Sequence, residues 1–323
     1  MRCLLVGSGN IGQQHIRALR SVVQNVEVIA LRSGRGGMIA PGLVDREVRD
    51  RSAALASNPD FAIVADPAPC RPESAAPLIS ANIPVFLEKP IACDAAGMTI
   101  LQAAAASNRR VLVGYVLRHD PSLLKFRETL QAGVIGRLLT LQLETGQALG
   151  DWRPGRDPMQ SISAKPETGG GVLFELSHEI DAARWLLGEL EVTHAVAGTL
   201  GELKMTVEDT ALVLLRSERG ATVTVQIDMA RGMPTRRYRA VGTQATLTWD
   251  AGDGSVRLEA DGAARTIYQG PVDRAALFRK QMQHFLAVVN GETRPVCALE
   301  DGAKTLAAVL DARRMAGLAA APA

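Results

Sequence analysis

Hydrophobic and polar residues alternate in two different patterns over the first 120 residues. Short apolar runs, such as residues 3–6 and 61–65, have the length of buried strands, whereas residues 11–23 place their apolar side chains on one helical face. The alternation of predicted strands and helices implies right-handed crossovers and a doubly wound parallel sheet. We therefore assign residues 1–120 to a first α/β domain.

The pattern changes after residue 120. Between residues 192 and 267, apolar and polar positions alternate with a period of two and are separated by glycine-containing turns, which is typical of hairpins. Two further helices are predicted near residues 274–290 and 299–317. The sequence therefore predicts a second α/β domain over residues 121–323, with an open, mostly antiparallel sheet.

Composition and charge argue against several functional classes. The chain has 323 residues, of which 47% are hydrophobic, enough for two folded domains. Its net charge of +2 and its aromatic content of 4% do not suit nucleic-acid binding. It shows no signal-peptide pattern and no apolar run of about 20 residues, the length of a membrane helix. We expect a cytoplasmic protein that acts on a small molecule and binds neither nucleic acid nor membranes.

A metal site is not expected. The four cysteines, at positions 3, 70, 93 and 297, show no CxxC spacing and no disulfide framework. His178-Glu179 begins like the zinc-binding motif HExxH, but Ala182 stands where the second histidine would be.

A glycine-rich motif directly follows the first predicted strand. Gly7-Ser8-Gly9-Asn10-Ile11-Gly12 matches GxGxxG and opens a predicted helix, which is the context of a dinucleotide-binding turn. Gly7 would form the tight turn, Gly9 would let the backbone approach a pyrophosphate, and Gly12 would allow close packing of helix and strand. The helix N-terminus, including Asn10 and Ile11, would supply backbone N–H groups to the phosphates.

The end of the second predicted strand bears on the choice of dinucleotide. An acidic residue there normally holds the ribose 2′-hydroxyl of NAD, but this chain has Arg32, Ser33 and Arg35. A guanidinium can bind a 2′-phosphate through two parallel hydrogen bonds. The sequence therefore favours NADP over NAD, although Arg32 could also be a solvated loop residue in a protein that accepts both.

A lysine–proline pair ends the strand predicted at 84–87. Glu88-Lys89-Pro90 would lie at the carboxyl edge of the parallel sheet, where such sheets bind ligands. A lysine placed there is suited to proton transfer or to polarising a carbinol oxygen. The alternative is a plain surface turn, because proline commonly terminates strands. We expect Glu88 and Lys89 to lie beside the cofactor and Lys89 to be catalytic.

Several ordered motifs make the chain resemble the Gfo/Idh/MocA oxidoreductases. They are the early GxGxxG, the EKP after a middle strand, the glycine-rich segment before His178, and the stretches 114–121, 130–142 and 285–306. The resemblance covers essentially the whole chain. It implies a Rossmann domain followed by an α/β domain with an open antiparallel sheet, and NAD(P)-dependent oxidation or reduction of a sugar, polyol or related compound. It also implies a catalytic or substrate-polarising role for Lys89.

A second candidate site follows a run of three glycines, which would bring the backbone close to a ligand. A helix predicted near 175–187 places Glu175, His178 and Asp181 on one face, and a histidine near a hydroxyl suits proton transfer. We expect His178 to be catalytic and to contact substrate, with Asp181 catalytic or orienting it; a buried structural histidine is the alternative. Members of the resembled family usually have an aspartate where this chain has Phe174, so Glu175 stays open between a substrate contact and a favourable helix N-terminal charge.

Four more residues are candidates for the substrate side. The resemblance assigns Tyr115 and Arg118 there, although Arg118 could instead form an ion pair in a linker. Trp152 and Arg153 lie in a predicted polar loop. An aromatic ring suits a sugar and a guanidinium suits an anionic group, and the alternative is a capping loop or a subunit contact.

The sequence thus predicts an NAD(P)-dependent oxidoreductase that transfers a hydride between nicotinamide C4 and a sugar, polyol or sugar-acid derivative. A noncatalytic dinucleotide-sensing regulatory protein on the same fold is the alternative, and the proton-transfer residues Lys89 and His178 count against it. A one-sided sheet over 192–267 would expose an apolar face, so we also expect a homodimer or homotetramer.

Overall fold

The computed structural model forms two compact units. The residues that it describes are 1–34, 38–106, 108–152 and 154–319. Unit 1 comprises Met1–Val116 and Arg274–Leu306, and unit 2 comprises Leu117–Asp273 and the described residues from Ala307 onward. The chain first passes from unit 1 to unit 2 after Val116, close to the domain border expected at residue 120. Residues 274–306, which were expected in the second domain, belong to unit 1.

Unit 1 is built on a parallel sheet. Its strands are β1 (Arg2–Val6), β2 (Glu27–Leu31), β3 (Arg46–Val48), β4 (Phe61–Val64), β5 (Val85–Leu87) and β6 (Val111–Val113). Its first helices are α1 (Asn10–Val22), α2 (Arg51–Ala56), α3 (Arg71–Ser80) and α4 (Ala95–Ala104). The parallel order β3-β2-β1-β4-β5-β6 is that of the doubly wound dinucleotide-binding fold and confirms the prediction.

The register of this sheet aligns the carboxyl ends of its central strands. Val6 pairs with Val64, and Val64 pairs with Leu87. All three side chains are buried, as expected in a parallel sheet covered on both faces. The residues that follow these strands therefore emerge in one row, at one edge of the sheet.

Two elements of unit 1, β3 and α2, were not predicted from the sequence. β3 has three residues, of which two are charged, and α2 has six residues. Neither is long enough to show a hydrophobic period. Their conformation comes from neighbours instead: β3 pairs with β2, and the Asp50 side chain accepts a hydrogen bond from the Ala53 N–H to cap α2.

Unit 2 is built on a mixed sheet. Its strands are β7 (Leu138–Gly146), β8 (Leu190–Gly198), β9 (Thr210–Ser217), β10 (Thr222–Asp228), β11 (Thr235–Gly242), β12 (Thr246–Asp250), β13 (Ser255–Ala260) and β14 (Ala263–Gln269). Its helices in this part of the chain are α5 (Pro121–Gln131), α6 (Val172–Glu175) and α7 (His178–Leu187). The order is β14-β13-β12-β11-β7-β10-β9-β8, and every pairing except β7 with β10 is antiparallel, which confirms the mostly antiparallel sheet.

The two faces of the unit 2 sheet differ in polarity. Leu141, Leu143 and Tyr238 on one face are buried, and helices α5 and α7 contact the sheet. The opposite face is more polar than the sequence suggested; its members on the central strands include Thr140, Gln142, Glu144, Thr224, Gln226 and Arg239. Exposed apolar side chains concentrate on β8 and β9, where Val196 is 59% and Leu212 is 42% exposed.

Two helices, α8 (Arg274–Val289) and α9 (Leu299–Met315), complete the described chain. Helix α8 packs along α1, and its Phe285 ring meets the rings of Phe61 and Phe86 edge-on, with centroids 5.6 and 5.5 Å away. This aromatic cluster explains why α8 belongs to unit 1. A helical period shows which face is apolar but not which sheet it covers, so the sequence left α8 in the second domain.

The helix predicted near 175–187 is two helices. Helix α6 ends at Glu175, and α7 begins only at His178. Glu175 therefore does not share a helix face with His178 and Asp181, as the sequence analysis assumed. The break falls at Leu176 and Ser177, which are buried and include neither glycine nor proline, so no strong turn signal marks it in the sequence.

The described residues include no helix that is both long and apolar enough to cross a membrane. Within that same part of the chain, no three His, Cys, Asp or Glu side chains are grouped as metal ligands would be. None of the four cysteines forms a disulfide bond.

Candidate active site

The glycine-rich motif forms the turn between β1 and α1. Gly7 has φ +87°, a left-handed conformation that side chains disfavour, and a Cβ there would lie 2.2 Å from the Asp66 nitrogen. A Cβ on Gly12 would lie 2.0 Å from the Gly7 carbonyl oxygen, whereas nothing lies within 4 Å of one on Gly9. Gly9 and Asn10 are exposed, and Gly9 caps α1 without a side chain. The turn thus has the space and the backbone donors that a pyrophosphate needs.

Glu88 and Lys89 emerge at the same edge of the sheet as this turn. Gly7 follows β1 and Glu88 follows β5, with β4 paired between the two strands. Neighbouring strands lie about 4.8 Å apart, so Glu88 stands two strand spacings from Gly7. A dinucleotide held at the turn would therefore extend across the end of β4 toward Lys89.

Glu88 joins the lysine segment to the helix that follows the glycine turn. Its Oε1 atom lies 2.5 Å from Nε2 of His15 on α1, and its Oε2 atom accepts a 2.9 Å hydrogen bond from the Lys89 N–H. Burial opposes ionisation, but the hydrogen bond from His15 and the charges of His15, Arg71 and Lys89 hold the pKa of Glu88 below its usual value. These contacts anchor the backbone at Glu88 and Lys89 to α1, the helix that follows the glycine turn.

The segment around Lys89 is not a plain surface turn. Glu88 is 5% and Ile91 is 1% exposed, and Pro90 between them is buried. Lys89 itself is partly exposed, and its peptide bond to Pro90 is cis. A buried backbone with one partly exposed lysine is the arrangement expected of a site at the edge of a sheet.

Arg32 and Ser33 follow β2 at this edge. The Arg32 guanidinium lies 3.8 Å from Oε1 of Glu47 on β3, too far for a hydrogen bond. The Arg32 side chain is 15% exposed and that of Glu47 is 52% exposed. Ser33 is exposed, and Arg35 lies outside the described residues. The contact between Arg32 and Glu47 is therefore long, and the acid in it is half-exposed.

In unit 2, Asp181 forms a buried ion pair with Arg118. The Nε and Nη2 atoms of Arg118 donate hydrogen bonds of 3.0 and 2.7 Å to the two carboxylate oxygens. The two side chains are only 4% and 2% exposed. This geometry supports the ion-pair alternative for Arg118, and it anchors α7, the helix that His178 begins.

Glu179, next to His178, was not singled out from the sequence. It is fully buried, and its Oε1 atom accepts hydrogen bonds from Thr145 Oγ1 at 2.8 Å, Arg236 Nε at 2.9 Å and Tyr238 OH at 3.3 Å. Although burial opposes it, the Glu179 charge raises the pKa of Arg236. Burial and the same charge raise the pKa of Tyr238. The network ties the first turn of α7 to β7 and β11, and nothing in a helical pattern signals that an acid is buried.

The glycines before α6 pack against protein. A Cβ on Gly170 would lie 2.6 Å from the Ser163 carbonyl oxygen, and one on Gly171, where φ is +109°, would lie 2.5 Å from Oε1 of Glu208. Oε1 of Glu208 also accepts hydrogen bonds from the Leu173 N–H at 3.3 Å and from Arg313 at 2.8 Å. These two glycines permit close packing of the backbone against protein.

The remaining candidates divide between the units. Tyr115, 2% exposed, belongs to unit 1 with Lys89. Trp152, Glu175 and His178 are partly exposed residues of unit 2, and Trp152 donates from Nε1 to the Gln147 carbonyl oxygen at 3.2 Å. Arg153 lies outside the described residues.

Comparisons with known proteins cover both halves of the chain. Residues 1–115 match an oxidoreductase family with an NAD-binding Rossmann fold, and residues 123–248 match the GFO/IDH/MocA C-terminal domain. Together the two matches extend over most of the chain.

Individual relatives agree with these matches. The inositol 2-dehydrogenase of Acidothermus cellulolyticus is 31% identical over 257 residues, or 76% of this chain and 72% of that one. Inositol 2-dehydrogenase 2 of Saccharopolyspora erythraea is 30% identical over 319 residues, or 91% of this chain and 87% of that one. A solved levoglucosan dehydrogenase, in complex with NADH, shares the fold with a TM-score of 0.83 at 18% identity, covering 98% of this chain and 97% of that chain. The chain therefore belongs to the Gfo/Idh/MocA family of NAD(P)-binding oxidoreductases.

Proposed function

We propose that the protein is an NAD(P)-dependent dehydrogenase or reductase acting on a CH–OH group of a sugar, polyol or sugar-acid derivative. The observation that carries the proposal is the register that brings the Gly7 turn and Lys89 to one edge of the sheet, two strand spacings apart. This spacing suits a ligand that is held by its pyrophosphate and reacts at its other end. Relatives that are named as inositol and levoglucosan dehydrogenases support a polyhydroxylated substrate.

The residues of unit 1 fit a nicotinamide dinucleotide. Gly9 leaves open space at the N-terminus of α1, where backbone N–H groups would hold the pyrophosphate. When bound, the nicotinamide would supply a hydride acceptor or donor at C4. Lys89, at the far end of the row, would lie toward that reacting end.

Lys89 and His178 would handle the proton. In oxidation the substrate hydroxyl gives its proton to the Lys89 amine or the His178 ring as the carbon gives up a hydride, and reduction reverses both transfers. A buried carboxylate stands beside each residue: Glu88 accepts a hydrogen bond from the Lys89 N–H, and Glu179, next to His178, binds the side chains of Thr145 and Arg236. Rigid support of this kind keeps a proton-transfer group in its reactive position.

The same edge supports a preference for NADP. Arg32 would turn from Glu47 to bind the 2′-phosphate, and the exposed Ser33 hydroxyl would add a hydrogen bond. The contact between Arg32 and the exposed Glu47 is 3.8 Å long, and exposed ion pairs contribute little to stability.

Turnover is the direct test of the proposed function. The purified protein is incubated with NAD⁺ or NADP⁺ and a panel of polyols, aldoses and uronic acids, and reduced nicotinamide is followed by its ultraviolet absorbance. Steady oxidation of any member supports the proposal. Tight cofactor binding without turnover of any member, in either direction, would favour the noncatalytic sensor instead.

A further inference from the structure

We propose that Arg71 is a positioning residue that holds the segment carrying Lys89 through the carbonyl of Pro90. Arg71 is the first residue of α3 and is only 6% exposed. Its Nη1 atom donates a hydrogen bond to the Pro90 carbonyl oxygen, one residue beyond Lys89. The catalytic part of this inference rests on the proposed function of Lys89.

Arg71 occupies an unfavourable place in two respects. Burial removes water from its guanidinium, which is costly unless contacts replace that water. A cation in the first turn of a helix also lies at the positive end of the helix dipole, where acids are preferred. Glu73, the acid in the first turn of α3, is exposed. The position is therefore explained by what Arg71 contacts rather than by the needs of α3.

Two carboxylates, the partly buried Asp66 and the buried Glu88, interact with the charge of Arg71. Asp66 follows β4 and Glu88 follows β5, and the Arg71 charge lowers the pKa of each. Burial nevertheless raises the pKa of Asp66, against the 2.7 Å hydrogen bond from Ser74 and the Arg71 charge. Arg71 thus acts on residues that follow two neighbouring strands, at the edge where the cofactor turn begins.

The contacts on the two sides of Lys89 form a clamp. The residue before it, Glu88, is bound by His15 of α1, and the residue after it, Pro90, is bound by Arg71 of α3. Side chains from two helices thus fix both flanks of the lysine backbone. Because a misplacement of about 1 Å can cost about 100-fold in rate, loss of one side of the clamp should reduce turnover without removing any reacting group.

The test compares Arg71→Met and Arg71→Lys with Arg110→Met. Arg110 is a matched control because it also donates to a backbone carbonyl, that of Asn82 at 2.8 Å, but it is more exposed and precedes β6 at the amino end of that strand. Arg71→Met should lower kcat by about 10–100-fold, with KM and the NAD(P)H dissociation constant changed by less than about 3-fold. Arg71→Lys should recover at least about 5-fold of that loss, and Arg110→Met should match the parent. An Arg71→Met protein at the parent kcat, or a loss confined to KM, overturns the proposal.

A second measurement does not depend on turnover. Hydrogen exchange of the amides at residues 91–93 should be at least about 10-fold faster in Arg71→Met than in the parent, while the amides of β1 keep their rates. Unchanged exchange at 91–93 overturns the proposal. Where circular dichroism shows that Arg71→Met does not fold, Arg71→Gln takes its place, and parental values of both kcat and exchange in that variant overturn the proposal. If the parent protein turns over no substrate but the amides at residues 91–93 still exchange faster in Arg71→Met, the proposed function is refuted and the clamp is supported.

Discussion

The Nε2 atom of His15 and the Oε1 atom of Glu88 lie 2.5 Å apart in the interior of unit 1, where their side chains are 1% and 6% exposed. His15 belongs to the helix that follows the glycine turn, and Glu88 directly precedes the proposed catalytic lysine. The contact therefore links the backbone that would hold the pyrophosphate to the backbone that would carry the proton-transfer group. The two parts of the site are held at a fixed spacing by side chains as well as by the sheet.

Replacing Glu88 by glutamine should destabilise the protein by about 1–3 kcal/mol at neutral pH, because a buried network loses its charged acceptor. The folded-state pKa of Glu88 is lowered, so its contribution to stability is fully present above the unfolded pKa of about 4.3 and is lost as the pH falls through the folded pKa. Urea unfolding at a series of pH values should show the difference between parent and Glu88→Gln shrinking in acid. Glu300→Gln, on the exposed side of α9, is the control. If the difference in unfolding free energy between the parent and Glu88→Gln stayed constant as the pH fell, a lowered pKa for Glu88 would be contradicted.

The cofactor preference depends on Arg32. NADPH should bind more tightly than NADH, and Arg32→Ala should erase the difference at a cost of roughly 1.5–3 kcal/mol, the range for hydrogen bonds to charged groups. Glu47→Gln should strengthen NADPH binding, because it removes the competing acid. Arg46→Ala, at the position before Glu47 on β3, should change neither affinity. Fluorescence titration with both cofactors measures this, and equal affinities in the parent would refute the preference.

We propose that the protein assembles into an even-numbered oligomer through the outer face of the unit 2 sheet. Leu212 and Val196 form its exposed apolar edge, and burying them against another copy would remove them from water. Leu212→Glu should shift the mass measured by light scattering toward the monomer. Leu124→Glu, on α5, is a matched control because Leu124 and Leu212 are both 42% exposed. A parent that is a stable monomer at micromolar concentration would rule out this assembly.

Breaking the Arg118–Asp181 pair should be costly. Arg118→Met or Asp181→Asn should each lower stability by about 3–5 kcal/mol, because the remaining group is left charged or polar in a buried site. The double variant Arg118→Met/Asp181→Asn should lose less than the sum of the two single changes. The exposed pair Lys125–Glu128 on α5 is the control and should contribute less than about 1 kcal/mol. Additive losses in the buried pair would show that the two residues do not interact.

Local patterns in the sequence were sufficient to predict the strands of unit 1 other than β3, the GxGxxG turn and the place of Lys89. Each depends on short-range chemistry: an apolar run, a glycine that no side chain can replace, and a residue that directly follows a strand. Contacts between distant segments were not predictable in this way. The partners of Glu88 and Asp181, His15 and Arg118, lie 73 and 63 positions away in the chain. The helical period in the sequence predicts which face of α1 or α7 is buried, but not which side chain from another segment contacts that face.

The two proton-transfer candidates can be ranked by a pair of variants. His178→Asn keeps a hydrogen-bonding side chain but removes the titrating ring. If Lys89 takes the substrate proton, His178→Asn should lower kcat less than Lys89→Met does. If His178 takes the proton, His178→Asn should lower kcat more. Steady-state kinetics of both variants on the same substrate decide between the two assignments.

The most direct test of the account is the kinetics of Lys89→Met beside Lys125→Met. Methionine preserves the length and packing of the lysine side chain but removes its charge and its proton. Because the pyrophosphate would be held by the Gly7–Gly12 turn, the dissociation constant of the cofactor should stay close to that of the parent. The kcat of Lys89→Met should fall by about 10²–10⁴-fold, as expected for a general acid–base group, and Lys125→Met should turn over like the parent. Turnover of Lys89→Met at the parent rate would contradict the proposal that this lysine, at the edge of the parallel sheet, performs the chemistry.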